Sequence, residues 1–158
     1  MKQYLILFLT ILIQLSAKCQ NKKEFGQIAF EFYSDSILSK VSTDKRFISP
    51  KLVDDARFWN IACIKEFNIR IDDTVALYIQ KPKNKKIKKF KERGFECTKL
   101  TDNRNPIIFI TTTLSKKEND NFITAVVEKY SDKCISYVFE IDENKKIIKW
   151  CKGEVILY

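Results

Sequence analysis

Residues 122–158, FITAVVEKYSDKCISYVFEIDENKKIIKWCKGEVILY, decide the fold. Phe122 to Tyr130 is rich in β-branched and aromatic residues, and Ser131-Asp132-Lys133 is a turn signal. Cys134 to Ile141 and Lys146 to Tyr158 then read as a hairpin around Asp142-Glu143-Asn144-Lys145. Side chains alternate along a strand, so Ile135, Tyr137, Phe139 and Ile141 share one face. A two-residue turn places Ile148 and Trp150 on that same face, and these six residues are expected in the core. Cys134, Ser136, Glu140, Lys149 and Cys151 take the opposite face. Gly153 is a candidate bulge in the last strand.

N-terminal to this stretch, Ile107 to Leu114 adds a strand, followed by a polar turn at Ser115 to Asn121. Together these segments predict an antiparallel meander. Further upstream the pattern becomes helical. Phe25, Ile28, Ala29, Phe32 and Tyr33 recur at helical spacing, which predicts a long helix over Asn21 to Lys40. Gly26 weakens its first turn by about 1 kcal/mol relative to Ala. Ser49-Pro50 reads as the start of a second helix ending near Asn60, with Leu52, Val53, Ala56 and Trp59 as its apolar stripe. Ile61 to Ile71 reads as one or two short strands, Val75 to Gln80 as another, and Phe95 to Leu100 as the start of a further one. The class is therefore α+β: N-terminal helices packed on a curved antiparallel meander.

The extreme N-terminus has a separate character. Lys2 precedes an apolar run from Tyr4 to Ile13, and Gln14 to Cys19 then turns small and polar. That order is the one found in secretory signal peptides, so residues 1–19 are expected to be removed and 20–158 to form a single domain. Ala17 and Cys19 fit a small-x-small cleavage site. Lipidation of Cys19 is the competing route, disfavoured because Lys18 stands where a small residue belongs. The apolar run falls short of the roughly 20 residues that cross a bilayer, and no later stretch comes closer. Export to the periplasm or beyond follows as the expected localisation. A chain of this size can bury roughly two thirds of its unfolded surface without help from metal.

The net charge is +9, and loss of Lys2 and Lys18 brings it to +7. A basic exported protein is drawn to anionic surfaces such as acidic lipid, acidic glycan or an envelope protein, while export argues against nucleic acid. The densest basic stretch is Lys81 to Arg93. Lys83, Lys85, Lys86, Lys88, Lys89, Lys91 and Arg93 are opposed there only by Glu92, with Ile87 and Phe90 as apolar anchors. It reads as a short helix capped by Asn84 and ended by Gly94, and it is the candidate anion-binding surface.

Cysteine and acid content bound the chemistry. Cys63, Cys97, Cys134 and Cys151 remain after cleavage, and four cysteines in an oxidising compartment allow three connectivities. Cys134 and Cys151 are diagonal neighbours in an ideal hairpin, with Cβ atoms about 6–8 Å apart, whereas a disulfide needs roughly 3.8 Å. A Cys134–Cys151 bond thus requires a bulge or strong twist, and it leaves Cys63 to pair with Cys97. The chain has no histidine and no C-x-x-C, so neither a zinc site nor a histidine-activated nucleophile is expected, and no cofactor is implied. The catalytic candidates reduce to Glu31 and Asp35, one turn apart on the first helix. Such a pair does acid–base work only if it faces a cavity.

Two helices, two short strands, a third helix and a long meander, in that order, resemble the cystatin-like cone of the NTF2-like superfamily. The resemblance implies a sheet-lined cavity, and in that case Glu31 or Asp35 acts in an enzyme or small-ligand site. Asn105-Pro106-Ile107-Ile108-Phe109 and the ending Ile147-Ile148-Lys149-Trp150 also look like small exported proteins of Gram-negative bacteria with an x-P-x-F … G-K-W ending. Here Lys145-Lys146 replaces the turn glycine of that pattern. The residues taken together favour a non-enzymatic envelope binding module with a basic face. The alternatives are the cavity enzyme and a peripheral binder of anionic lipid or glycan through Lys83–Arg93.

Overall fold

The computed structural model describes residues 24–38, 46–53, 61–67, 78–79, 86–115 and 120–157. The expected leader at 1–19 lies outside these, as do Lys81, Lys83, Lys85 and residues 54–60. The fold is α+β. Helix α1 spans Phe25–Phe32 and continues as a wider π-helical turn over Tyr33–Ile37. Helix α2 spans Ile61–Glu66. Among the described residues eight strands form one mixed sheet: β1 Arg46–Ile48, β2 Tyr78–Ile79, β3 Phe95–Cys97, β4 Ile107–Ile110, β5 Leu114–Ser115, β6 Phe122–Lys129, β7 Lys133–Ile141 and β8 Ile147–Ile156.

The meander is β6–β7–β8, antiparallel throughout. β4 and β5 both lie against the other edge of β6 and are separated by Thr111–Thr113. Beyond β4 the sheet changes character, because β1 runs parallel to both β4 and β3. The expected purely antiparallel sheet is thus corrected to a mixed one.

The two faces of the sheet carry separate cores. On the first, Ala29, Phe30 and Tyr33 of α1 and its continuation pack on Ile48, Ile108, Ile110, Val126, Tyr137, Phe139 and Ile141. On the second, Cys63 and Phe67, in and just after α2, pack on Phe109, Ile123, Ala125, Val127, Cys134 and Val138. β4 is buried along its whole length for this reason, and its unbroken Ile-Ile-Phe-Ile run is the composition of a strand covered on both sides. Gly26 has a tertiary role at the helix start. A Cβ there would lie 3.2 Å from Ile110 Cγ2 and 3.3 Å from Leu52 Cδ2, so glycine lets α1 sit this close to the sheet without pushing those side chains aside.

Several local expectations are overturned. Ser49-Pro50 starts no helix. The Ser49 and Val53 N–H groups donate to the carbonyls of Ile108 and Ile110, each at 2.8 Å, which draws 49–53 alongside β4. The pull of a buried ladder outweighs a local capping signal. Ile61–Glu66 is helical rather than extended, because its place is to roof the second face. The Lys83–Arg93 helix is absent among the described residues. Lys86 forms a β-bridge with Lys51, and only Lys91–Arg93 coils, as a 3₁₀ turn. Lysines three and four apart repel on a helix, and two apolar anchors are too few to offset the cost of ordering it.

In the last hairpin, Ser136 faces Gly153 and Val138 faces Cys151, while the irregularity falls at Glu140/Ile141 instead of Gly153. Ile135, Tyr137, Phe139 and Ile141 face α1 as expected, Ile135 at the margin. Ile148 and Trp150 are not core: they are 54% and 42% exposed, since α1 lies over β6 and leaves β8 uncovered. The disulfide is Cys63–Cys151, joining α2 to β8 across the second face with Cα atoms 5.6 Å apart. Both expected pairings, Cys134–Cys151 and Cys63–Cys97, are therefore wrong. Cys134 faces Val155 and is a buried free thiol, and Cys97 is a free thiol on the surface.

Candidate functional site

Three residues at successive turns of α1 and its continuation, Gln27, Glu31 and Asp35, hold the basic segment in place. The Gln27 side chain clamps the Lys88 backbone from both sides. Its Oε1 accepts from the Lys88 N–H at 2.8 Å, and its Nε2 donates to the Lys88 carbonyl at 3.1 Å. Nε2 also donates to Glu31 Oε1 at 3.2 Å. Asp35 takes both arms of Arg93, from Nε at 3.1 Å and from Nη2 at 3.2 Å, and accepts the Ser34 hydroxyl at 2.8 Å. Glu31 and Asp35 therefore anchor a neighbouring segment. Asp35 is exposed at the surface and Glu31 is half-buried, and the charges of both act on Arg93.

Below this polar row, Ile87 and Phe90 pack into the first core. The Ile87 N–H donates to the Pro50 carbonyl at 2.8 Å. The chain reverses at Lys89, with φ 57°, and again at Gly94, with φ 80°, where the left-handed backbone ends the 3₁₀ turn. The result is an ordered ribbon whose inner side is apolar and amide-clamped. Lys86, Lys88, Lys89 and Lys91 all remain exposed on its outer side. Lys51, also exposed, is the direct antiparallel partner of Lys86. The sequence reading missed Lys51, because Ser49-Pro50 disguised its segment as a helix start. Of the seven basic candidates, the structure gathers Lys86, Lys88, Lys89 and Lys91. It diverts Arg93 into the ion pair with Asp35, and Lys83 and Lys85 lie outside the described residues.

A second cluster lies in the first core. Glu128 of β6 is 6% exposed. Its Oε1 accepts the Tyr33 hydroxyl at 2.5 Å, and its Oε2 accepts the Tyr130 hydroxyl at 3.1 Å. The Tyr137 hydroxyl is a further partner. Burial, then the charge of Glu128, raises all three phenols. Tyr130 is pushed up to about 12, and Tyr33 and Tyr137 move further in the same direction. The arrangement gives a carboxylate enough donors to be tolerated inside a core, where an unpaired charge is costly. Strand alternation carried the signal for it, since Thr124, Val126 and Glu128 all point to the α1 face, opposite Phe139, Tyr137 and Ile135.

Among the described residues no group of three or more His, Cys, Asp or Glu side chains is placed to hold a metal ion. No helix among them is long and apolar enough to cross a membrane. Compared with protein-family models, curated proteins and solved structures, the chain matches none.

Proposed function

We propose that this protein is an exported, non-enzymatic binding module of the bacterial envelope, and that its basic ribbon docks on anionic lipid head groups. One observation carries the reading: Lys51 and Lys86 are directly opposed in a β-bridge, both exposed, next to exposed Lys88, Lys89 and Lys91. Like charges facing each other across strands are destabilising. The Gln27 clamp holds the ribbon in that conformation nonetheless. An anion drawn into this cluster relieves the repulsion and gains about 1 kcal/mol per basic residue near a charged membrane. The Cys63–Cys151 disulfide is compatible with an oxidising compartment, and a leader at 1–19 supplies the route there.

The test is co-sedimentation with vesicles of phosphatidylglycerol and phosphatidylcholine. Changing Lys86, Lys88 and Lys89 together to Glu is expected to weaken binding by about a hundredfold or more, and raised salt is expected to weaken the wild type. Binding that survives the triple change removes the proposal.

A second reading, a carboxylate site of NTF2-like type, would rest on a different residue from those the sequence offered. Glu128, not Glu31 or Asp35, is the buried acid on the sheet face beneath α1. Its oxygens are already engaged by Tyr33 and Tyr130, which supports a packing role over an acid–base one.

A further inference from the structure

Among the described residues β8 pairs with β7 alone and is an edge of their sheet. The Leu157 N–H donates to the Asp132 carbonyl at 2.9 Å, in register with the β7–β8 ladder. Backbone groups alternate in direction along an antiparallel strand. Val155, Gly153 and Cys151 therefore turn their N–H and C=O toward β7. Ile156, Glu154, Lys152 and Trp150 turn theirs away from β7. The same four residues are exposed on the face that α1 leaves bare, with Trp150 42% and Ile156 60% exposed.

We propose that β8 is a homodimerisation strand, pairing antiparallel with β8 of a second copy about a two-fold axis at Gly153. An isologous interface brings each residue of the strand opposite a fixed counterpart. With the axis at Gly153, Lys152 faces Glu154 of the second copy and Trp150 faces Ile156, and each pairing occurs twice. Opposite charges then meet opposite charges, and apolar side chains meet apolar ones. Each outward-facing residue also exchanges its backbone hydrogen bonds with its partner. Moving the axis to Lys152 sets lysine against lysine and Trp150 against Glu154. Moving it to Glu154 sets glutamate against glutamate and Lys152 against Ile156. A shift by one residue brings outward backbone groups against inward ones. Axes at Cys151 or Val155 set Lys152 against Trp150 or Glu154 against Ile156, so charge complementarity favours the register centred on Gly153 and a second copy as the occupant. Glu154 already pairs with Lys133 at 3.2 Å on its own chain, and Lys152 rests over the Tyr137 ring at 5.8 Å. Both contacts are to β7, on the side away from the outer edge, so the second copy competes with them for Lys152 and Glu154.

The experiment is sedimentation velocity on the full chain, expressed with its own N-terminal segment and purified as the cells deliver it. A Cys97→Ser background removes the exposed thiol as a source of disulfide dimers. The unmodified strand is expected to sediment as a dimer. Lys152→Glu sets like charges opposite each other twice and is expected to raise the dissociation constant on the order of tenfold or more. Lys152→Glu with Glu154→Lys restores the cross-strand pairs and is expected to restore the dimer. Glu154→Pro removes an outward N–H together with the carboxylate that pairs with Lys133 on its own chain; edge strands tolerate proline, and the variant is expected to give a folded monomer. A monomer at every concentration overturns the proposal. So does a dimer that persists through Lys152→Glu and Glu154→Pro, or one that the double charge exchange fails to rescue.

Discussion

Glu128 shows how one buried residue sets a property of the whole protein. Its side chain is accommodated in the core because Tyr33 and Tyr130, from α1's continuation and the end of β6, donate hydrogen bonds to it. The same contacts make those phenols reluctant to ionise. In the unfolded chain each titrates near 10.0, whereas in the fold Tyr130 titrates at about 12, with Tyr33 and Tyr137 beyond it. A raised folded value stabilises fully below the unfolded one and fails as pH climbs through the folded one. Stability toward urea is therefore expected to hold up to about pH 10 and to fall steadily between pH 10 and 12. Urea midpoints measured across that range check it, and a midpoint independent of pH there contradicts the cluster.

At the scale of elements, the basic ribbon is the instructive case. The lysine-rich composition of 81–93 was plain in the sequence, yet its conformation was not. A helix there needs an apolar stripe, and Ile87 and Phe90 supply only two points of contact. The ribbon is instead organised from outside, by Gln27 on the Lys88 backbone and by Asp35 on Arg93. Gly94 closes it at φ 80°, and nothing lies within 4 Å of where its Cβ would be. Gly94→Ala thus meets no steric neighbour and pays only the left-handed backbone penalty, about 1–2 kcal/mol. The thermal midpoint is expected to drop accordingly, with an unchanged circular dichroism spectrum. Helix α2 carries the same lesson in reverse. Its apolar, irregular sequence suits a strand as well as a helix, and its place over the second face decides the matter.

At the scale of the whole molecule, the Cys63–Cys151 bond ties the second-face helix to the edge strand across 88 residues of sequence. Closing so long a loop in the unfolded chain accounts for about 4–5 kcal/mol in the chain-entropy view. Cys63→Ser is expected to lower unfolding free energy by about 2–5 kcal/mol, read from urea titration under non-reducing conditions. A smaller loss means that the two cores hold α2 and β8 together unaided. The bond also fastens to α2 the strand proposed to pair with a second copy.

The sequence by itself determined what depends on local period and composition. The alternation in β6, β7 and β8, the helical spacing from Phe25 to Tyr33, the α+β class and the concentration of lysine near residue 88 all lie in neighbouring residues. Only the tertiary structure decided what depends on partners far along the chain. Cys63 could not be matched to Cys151 from a hairpin register that a bulge at Glu140/Ile141 resets. Trp150 was placed on the right face, but its exposure rests on how far α1 reaches. Ser49-Pro50 carries a good helix start, overruled because the backbone of 49–53 finds β4. Glu31 and Asp35 have the spacing of a catalytic pair, and it is the segment docked against them that makes them anchors. In each case the local signal was real and the deciding free energy came from a surface that the neighbouring residues do not encode.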